Sequence, residues 1–369
     1  MNQYIGLHKS QLDTPCLVID KTKLLQNITY MQKLAQEKKV NVRPHTKTHK
    51  CTQLAKLQIE HGAIGVCVTK VAEAIVMAHS GVKGILITSP VVTPTKINNL
   101  VNVVKIAPDT TVVVDNLDNA NLLNYTFSKF NLILNVILDI DAGIGRTGVD
   151  YSVALAMAKA INQLPQLNFI GIQCYAGQLQ HITDINERKN KSHKILTKAG
   201  VIRNELIQCG IKCHILTGSG TGTFSIDAEL ACVTEIQPGS YCVMDQEYNN
   251  IEYKEIQFLS AMTMLSTVIS VNHKSHVTVD AGTKVLYKVD TKPQIISHNS
   301  LCYDWDGFGD EQGKVYYRDN TGVLPILGEQ IELIVAHCDP TINLFDEFYI
   351  TENDIVIDKW DIDTRGCCK

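Results

Sequence analysis

Basic and imidazole side chains are concentrated in the stretch Arg43-Pro44-His45-Thr46-Lys47-Thr48-His49-Lys50. A lysine here would have cationic neighbours, which disfavour the protonated ammonium and leave a nucleophilic amine. Such an amine is suited to a Schiff base with a carbonyl cofactor. A solvated basic loop or a phosphate-binding patch could have the same composition, so the stretch alone leaves these alternatives open.

A second candidate site is the glycine-rich run Thr217-Gly218-Ser219-Gly220-Thr221-Gly222-Thr223. Glycines separated by small hydroxyl residues let backbone N–H groups converge on an anion, and the hydroxyls add donors. The run is neither a Walker loop nor a dinucleotide fingerprint. A phosphate cradle and a flexible turn are the two interpretations. The nearby Gln237-Pro238-Gly239-Ser240-Tyr241 could supply further backbone donors.

Two other polar positions lie between apolar runs. The loop Asp141-Ala142-Gly143-Ile144-Gly145-Arg146-Thr147-Gly148 presents Arg146, which could face a phenolic oxygen or a carboxylate. A surface ion pair is the alternative for this arginine. His181, which follows Tyr175 and Gln180, is a candidate acid–base group, although it could equally cap a loop.

His337-Cys338-Asp339 follows the apolar run Ile331–Val335. If the strand continues, residues two apart point the same way, so His337 and Asp339 can aim at one ion while Cys338 faces the opposite side. Nitrogen plus carboxylate favours manganese, magnesium, zinc or a similar divalent ion. A structural His-x-Asp pair is the alternative.

Short β-branched runs alternate with amphipathic helical stretches through the first 250 residues. We predict strands at Asn41–Arg43, Gly65–Val68, Gly84–Thr88, Thr111–Val114, Leu134–Asp139, Ile170–Cys174, His214–Thr217 and Glu235–Pro238. Predicted helices include Cys51–His61, Val71–His79, Lys96–Val104, Val153–Gln163 and Glu187–Gln208. Eight strands with helical crossovers match a (β/α)8 barrel, with a doubly wound sheet as the alternative.

The character of the chain changes after about Asn250. Predicted strands at Phe258–Val271, His276–Val279, Gln330–Val335 and Phe348–Ile357 are joined by loops rich in Gly, Asp and Asn. This pattern favours a separate, mainly-β domain. The first apolar strand, Cys16–Asp20, precedes the barrel pattern.

Composition narrows the class of protein. With 369 residues, 45% hydrophobic and 20% charged, the chain is typical of a globular protein of two domains. A net charge of -4 without a long basic run argues against a nucleic-acid partner. Neither a signal peptide nor a membrane-spanning run is apparent. The 12 cysteines are scattered through apparent core segments, which favours a reducing, cytoplasmic location.

Taken together, the motifs resemble one family. The Arg43–Lys50 stretch, the Thr217–Thr223 run, Gln237–Tyr241 and His337–Leu344 stand in the same order as in the D-threonine aldolase and D-serine dehydratase family. These are metal-activated, alanine-racemase-like (fold-type III) pyridoxal 5'-phosphate (PLP) enzymes. The resemblance extends over nearly the whole chain and implies a PLP-binding (β/α)8 barrel with a C-terminal mainly-β domain. We therefore expect a barrel over 21–250 and a β domain, carrying the metal ligands, from 1–20 and 251–369.

The resemblance also implies residue roles. Lys47, and not Lys50, would hold PLP. The other cofactor-binding positions would be Arg146 and Tyr175 around the ring, with Ser219, Gly220, Thr221, Gly222, Gly239 and Tyr241 at the phosphate. His337 and Asp339 would bind a divalent metal, with Mn²⁺ expected first and Mg²⁺, Zn²⁺ or Co²⁺ as alternatives. By analogy with related enzymes, we also expect a homodimer.

The reaction expected from the resemblance is retro-aldol cleavage of a D-3-hydroxy-amino acid to glycine and an aldehyde. Dehydratase members have His-x-Cys where this chain has His337-Cys338-Asp339, and aldolase members have His-x-Asp. The chain departs from many aldolases at Ala176, where they carry a histidine, which leaves the substrate side chain open. A base, His181 or a metal-bound water, would take the hydroxyl proton. Alternatives are a D-serine or 3-hydroxy-D-aspartate dehydratase, a 3-hydroxy-D-aspartate aldolase, a racemase and a PLP carrier without catalysis.

Overall fold

The computed structural model describes residues 3–253, 258–319 and 322–369. The chain divides into two compact units. The barrel unit comprises Tyr30–Lys47, Thr52–Gly239 and Gly366–Lys369, and the β unit comprises Met1–Thr29, Thr48–Cys51 and Ser240–Arg365.

Strands and helices alternate through the first two thirds of the chain, and strands dominate the last third. The strands are β1 (Cys16–Asp20), β2 (Asn41–Val42), β3 (Val66–Val68), β4 (Ile85–Ile87), β5 (Thr111–Val114), β6 (Leu134–Asp139), β7 (Leu167–Cys174), β8 (Ile215–Gly218), β9 (Glu235–Ile236), β10 (Met262–Ser270), β11 (His276–Val279), β12 (Gln294–Ile295), β13 (Leu301–Asp304), β14 (Gly313–Tyr317), β15 (Gln330–Ile334), β16 (Glu347–Glu352) and β17 (Ile355–Asp361). The helices are α1 (Lys21–Lys38), α2 (Thr52–Glu60), α3 (Val71–His79), α4 (Pro94–Ile106), α5 (Leu117–Ser128), α6 (Tyr151–Ile161), α7 (Ile185–Gln208), α8 (Phe224–Asp227), α9 (Gln246–Asn249) and α10 (Cys338–Ile342). Short 3-10 turns lie at Lys9–Gln11, Gly177–Leu179 and Ser240–Cys242.

The barrel unit is built on a parallel sheet. Within the described residues this sheet has eight strands, in the order β2-β9-β8-β7-β6-β5-β4-β3. Its apolar, β-branched strands suit a sheet that is covered on both faces. Four strands contribute one residue each to a buried core layer, which consists of Cys67, Leu86, Val113 and Ile137. The crossover helices begin at side-chain caps that include Thr93, Asn116, Asp150 and Asp184.

Backbone hydrogen bonds join the two ends of this sheet order. The Ile64 N–H donates to the Val42 carbonyl at 3.0 Å, and the Cys67 N–H donates to the Pro44 carbonyl at 2.8 Å. The Thr46 N–H in turn donates to the Cys67 carbonyl at 2.9 Å. The segment from β2 is thereby paired with β3, so the sheet closes. This closure excludes the doubly wound alternative and confirms the predicted barrel.

A buried ion pair links β9 to the segment that follows β2. The Arg43 guanidinium donates to both carboxylate oxygens of Glu235, at 3.1 and 3.0 Å, and to the carbonyl of Gly84. The two side chains are only 11% and 5% exposed. A paired geometry of this kind compensates two charges that have been removed from water.

The β unit is a twisted sheet in the order β13-β14-β11-β10-β1-β16-β17, with β15 also pairing β10 and β12. The N-terminal strand β1 lies between β10, to which it is antiparallel, and β16, to which it is parallel. Apolar residues from these strands form a core cluster of Leu12, Cys16, Val18, Leu265, Tyr349 and Val356. The N-terminal strand is therefore an integral part of a sheet otherwise built from the last third of the chain.

The predicted elements agree with the structure, with two exceptions in the β unit besides the segment His337–Asp339. The long strand expected over Phe258–Val271 begins only at Met262. The strand expected over Phe348–Ile357 is a hairpin of β16 and β17, because Asn353 and Asp354 adopt φ angles of +50° and +63° and turn the chain. No helix in the described part of the chain has the length and apolar character needed to cross a bilayer.

We predict that breaking the barrel ion pair is costly. Glu235→Gln leaves the buried Arg43 charge uncompensated and should lower the free energy of unfolding by about 3 kcal/mol. Glu311→Gln is the matched control, since Lys284 and Glu311 form an ion pair whose side chains are 62% and 59% exposed, and it should change stability by less than about 1 kcal/mol. Urea denaturation measures both. Equal, small effects of the two variants would contradict a stabilising role for the barrel pair.

Candidate active site

Lys47 lies in the turn that follows β2. Its backbone N–H donates to Nδ1 of the buried His45 at 3.3 Å, so the His45 ring proton belongs on Nε2. That Nε2 lies 3.1 Å from the Thr88 hydroxyl, which donates to the Val68 carbonyl at 3.1 Å. These bonds anchor the turn to the barrel strands and leave the Lys47 side chain exposed.

The stretch around Lys47 contains fewer uncompensated positive charges than its sequence suggests. Arg43 is one of the cationic residues of this stretch, but its charge is compensated by Glu235. His45 accepts a hydrogen bond at Nδ1 rather than serving as a cation. The stretch is therefore partly structural, and it places a single exposed lysine at the end of an anchored turn.

The loop Asp141–Gly148 brings together two residues predicted from sequence. A carboxylate oxygen of Asp141 accepts three backbone N–H groups, those of Gly143, Ile144 and Gly145, at 2.8, 3.0 and 3.1 Å. The Thr147 hydroxyl donates to Asp139 at 2.8 Å. Arg146 lies in sequence between the hydrogen-bonded residues Gly145 and Thr147. Its guanidinium is 5.7 Å from the centroid of the Tyr175 ring. A guanidinium over an aromatic face is a favourable cation–π arrangement.

A layer of buried polar side chains lies in the barrel interior beside this loop. It was not predicted from the sequence. Gln173 donates from Nε2 to Asp139 at 3.0 Å and to the Thr88 carbonyl at 3.3 Å. Gln237 donates to Gln173 Oε1 at 3.3 Å and to the Thr217 hydroxyl at 3.0 Å. The available signal was one glutamine inside the apolar run of β7, since barrel interiors are normally filled by branched apolar residues.

Asp139 is the ionisable member of this layer. Burial raises its pKa to about 6, while hydrogen bonds from Gln173 and Thr147 oppose the rise. The nearby Asp115 carboxylate raises the pKa further, and Arg146 lowers it. A carboxyl group with such a pKa changes charge close to neutral pH.

The glycine-rich run forms a tight loop after β8. Gly220 N–H donates to the Thr223 hydroxyl at 3.3 Å, and Gly222 N–H donates to Oε1 of Gln180 at 3.0 Å. A Cβ atom on Gly222 would lie 2.0 Å from the Gln180 backbone oxygen, so only glycine fits there. Two of the backbone donors assigned to a phosphate thus have protein partners here. Sequence reasoning also missed Gln180 as the side chain that braces this loop.

His337 and Asp339 are placed differently from the prediction. The strand β15 ends at Ile334, His337 precedes the short helix α10, and Asp339 lies in its first turn. The expected strand alternation, with His337 and Asp339 on one face and Cys338 on the other, is therefore wrong. Pro340 gave the signal, because proline is tolerated in the first turn of a helix but not within a sheet interior.

A buried carboxylate that the sequence did not indicate holds His337. Asp245 is fully buried and lies 3.0 Å from His337 Nδ1, and it accepts the Cys338 N–H at 2.9 Å. The Glu247 carboxylate lies 3.4 Å from the same Nδ1. A carboxylate at Nδ1 fixes the ring and leaves Nε2 to bind a metal. Asp245 is separated from His337 by 92 residues in sequence, so only the fold reveals this pair.

Ligand atoms of Asp245, His337 and Cys338 lie within 4.8 Å of one another. Burial raises the pKa of the Cys338 thiol well above its usual value, so the neutral thiol donates to Asp339, at 3.5 Å. The Ser240 hydroxyl donates to the same carboxylate oxygen at 3.2 Å. Burial lowers the pKa of His337, but the Asp245 hydrogen bond and the charges of Asp339, Asp245 and Glu247 outweigh it and raise the pKa. The donors that this cluster offers are an imidazole nitrogen, a carboxylate oxygen and the sulfur of Cys338.

The remaining predicted residues lie in varied surroundings. His181 is exposed in the turn that follows the Gly177–Leu179 segment. Tyr241 is fully buried, with its ring edge-to-face against Phe258 at 5.7 Å. Ala176, where a histidine was expected from the resemblance, is buried directly after Tyr175.

Comparison with known proteins identifies the family. Residues 19–247 match the alanine racemase N-terminal domain, and residues 261–351 match a putative serine dehydratase domain. The chain belongs to the alanine racemase-like family. A D-threonine aldolase of Arthrobacter sp is 34% identical over 97% of this chain and 94% of its own. A 3-hydroxy-D-aspartate aldolase of Paracoccus denitrificans (strain Pd 1222) is 33% identical over 98% and 94%.

A solved structure gives the same result at the level of the fold. The crystal structure of D-threonine aldolase from Filomicrobium marinum superposes with a TM-score of 0.92 at 32% identity, covering 99% of this chain and 98% of that one. The resemblance to the D-threonine aldolase and D-serine dehydratase family is thereby confirmed, as is the barrel with its additional mainly-β part.

The raised pKa of Asp139 predicts a pH-dependent stability. Its folded-state pKa of about 6 exceeds the ordinary 3.8, so its stabilising contribution is full below about pH 4 and is lost as pH rises through about 6. Relative to Asp139→Asn, the wild-type protein should therefore lose roughly 3 kcal/mol of unfolding free energy over that interval. Urea denaturation at about pH 3.5, 5 and 7.5 measures the difference. A difference that is constant with pH would contradict the assignment.

Proposed function

We propose that this protein is a PLP- and divalent-metal-dependent lyase that cleaves D-3-hydroxy-amino acids of the D-threonine type to glycine and an aldehyde. The observation that carries the proposal is the His337 imidazole held at Nδ1 by buried Asp245, with Asp339 two residues on. It is supported by relatives at 33–34% identity that are both named aldolases. Carriage of PLP alone would need no such arrangement.

The residues of the barrel unit fit a PLP site. Lys47 is an exposed residue on an anchored turn, and its side chain supplies an amine. Arg146 beside Tyr175 would face the cofactor ring. Ser219, Gly220, Thr221 and Gly222 would line its phosphate, with Gly239 as a further contact. Tyr241, which the resemblance also assigns to the phosphate, belongs to the β unit. When bound, PLP accepts the electron pair that is released as the Cα–Cβ bond breaks.

The donors of the β unit fit a divalent ion. His337 would bind through Nε2 and Asp339 through its carboxylate, while Asp245 keeps the imidazole oriented. Mn²⁺ is proposed first, with Mg²⁺, Zn²⁺ and Co²⁺ as alternatives, because all accept nitrogen and carboxylate oxygen. When bound, such an ion lowers the pKa of the substrate's β-hydroxyl. Because His337 has a raised pKa, protons should compete with the metal increasingly as pH falls.

The remaining step needs a group that takes the proton of the β-hydroxyl. We propose His181, whose side chain is exposed, because an imidazole can accept a proton as a general base. As the Cα–Cβ bond breaks, the β-oxygen becomes the aldehyde carbonyl and the electron pair is left on the glycine side. The proton taken by His181 can then be returned to Cα to give glycine.

Two neighbouring activities use the same parts. A 3-hydroxy-D-aspartate aldolase would differ in the pocket for the substrate side chain, and the Paracoccus relative supports it. A D-serine or 3-hydroxy-D-aspartate dehydratase is supported by the match of residues 261–351 to a serine dehydratase domain. His337-Cys338-Asp339, rather than His-x-Cys, favours the aldolase. We also propose a cytoplasmic homodimer; the scattering of the 12 cysteines through the sequence, without the spacing of a disulfide framework, supports a reducing compartment.

Product analysis tests the reaction type. With PLP and Mn²⁺, D-threonine should yield acetaldehyde and glycine in equal amounts, and 3-hydroxy-D-aspartate should yield glyoxylate and glycine if its side chain is accepted. D-serine should release no ammonia at a comparable rate. Ammonia and a keto acid as the main products from any of the three would instead identify a dehydratase.

Two lysines of one stretch test the attachment of PLP. Lys47→Ala should abolish cleavage and the yellow absorbance of protein-bound PLP, because no other amine is assigned to the cofactor. Lys50→Ala is the matched control and should keep the absorbance. Absorbance spectra of dialysed protein measure both variants, and loss of absorbance only in the Lys50 variant would reverse the assignment.

A further inference from the structure

We infer that Gln173 is a positioning residue that ties the arginine loop to the barrel strands which carry the lysine turn and the glycine-rich loop. This inference rests on the proposed function. It depends on the buried polar layer of the barrel interior, whose members would not contact the substrate in the proposed mechanism.

Strand register places the layer. In the parallel sheet, Gln173 of β7 is paired with Asp139 of β6 on one side and with Thr217 of β8 on the other. Paired positions of neighbouring strands point to the same face of a sheet. Each of these side chains is at most 4% exposed. Buried polar groups cost free energy unless they are hydrogen-bonded, so a layer of this kind needs a reason beyond packing.

The Gln173 amide is the junction of the layer. Both of its N–H groups are used, one by Asp139 and one by the Thr88 carbonyl, and its oxygen accepts from Gln237. This arrangement fixes the direction of the amide, because the reversed group would place its oxygen against the Asp139 carboxylate.

Each partner of Gln173 leads to a different functional segment. Asp139 accepts the Thr147 hydroxyl and so holds the loop in which Arg146 lies over Tyr175. The Thr88 hydroxyl contacts His45, which accepts the Lys47 N–H. Gln237 reaches Thr217, at the start of the glycine-rich run. One amide therefore connects three loops that the proposed function assigns to a single cofactor.

The hydrogen bond from Gln173 to Asp139 can be tested through the pKa of Asp139, which also depends on the charged groups around it. Asp115 faces Asp139 from the end of β5, Arg146 faces it from the loop, and the Cys174 thiol lies within its electrostatic reach. Gln173 stabilises the charged form of Asp139, so removing its donor should raise the pKa of Asp139 by about one unit.

The test uses the full-length holoenzyme with three variants. Gln173→Met keeps the side-chain length but removes all three bonds, and should lower kcat about 10²-fold with little change in KM, because a small displacement of a positioned group has that effect. The acid limb of its pH–rate profile should move to higher pH by about one unit.

Asn119→Leu is the control. It removes one buried hydrogen bond elsewhere in the barrel unit, from Asn119 to the Val91 carbonyl at 2.8 Å. It should lower the melting temperature and leave kcat and the acid limb unchanged.

The double variant Q173E/D139N separates positioning from stability. It exchanges amide and carboxylate across the hydrogen bond between the two side chains but leaves the Thr88 carbonyl without its donor. It should therefore recover part of the melting temperature but not kcat, since the negative charge no longer faces Arg146. Wild-type kcat and an unmoved acid limb in Gln173→Met, or recovery of kcat together with stability in Q173E/D139N, would overturn the inference.

A cofactor-free measurement keeps this outcome distinct from the proposed function. In PLP-free protein, the unfolding free energy should fall as pH rises because Asp139 ionises. In Gln173→Met this fall should continue to a pH about one unit higher than in wild type. If wild-type protein cleaves no D-3-hydroxy-amino acid, the proposed function fails while this shift still supports the hold of Gln173 on Asp139. Identical pH dependence in the two proteins would overturn that hold even in an active enzyme.

Discussion

The register of the parallel barrel strands is the constraint on which the rest depends. Because β6, β7 and β8 pair without offset at their ends, Asp139, Gln173 and Thr217 form one row inside the barrel. The loops that follow β6 and β9 are held in position by hydrogen bonds to side chains of that row. A shift of one residue in any strand would turn its polar side chain away from the interior and break the hydrogen bonds that hold the loops.

The polar row also explains why this barrel departs from an apolar filling at one end. Its lower layer, with Cys67, Leu86, Val113 and Ile137, is apolar and contributes stability. The polar layer of Asp139, Gln173 and Thr217 buries hydrogen-bonded groups instead of apolar side chains, and these directed hydrogen bonds specify one arrangement of the loops. The same division is seen in the β unit, where the buried Asp245 orients His337 instead of adding to the hydrophobic core.

The sequence predicted the barrel well, because β-branched runs bounded by glycine and proline mark strands irrespective of their partners. The cofactor-binding roles of Lys47, from the ordered motifs, and of Arg146, from the loop Asp141–Gly148, stay predictions. The sequence could not predict that Gln173 meets Asp139 or that Asp245 meets His337, since these pairs are created by register and chain reversal over 34 and 92 residues. The strand expected at His337-Cys338-Asp339 was wrong because a short helix beginning with Cys338 overrode the apolar pattern before it.

The central claim is that a divalent ion on His337 and Asp339 is required for cleavage. The most direct measurement compares metal content with the rate of D-threonine cleavage in wild-type protein, before and after chelation and after Mn²⁺ is returned. The account predicts that chelation abolishes cleavage, leaves the yellow absorbance intact, and is reversed by Mn²⁺ in wild type but not in Asp339→Ala. Full-rate cleavage by metal-free protein would contradict it.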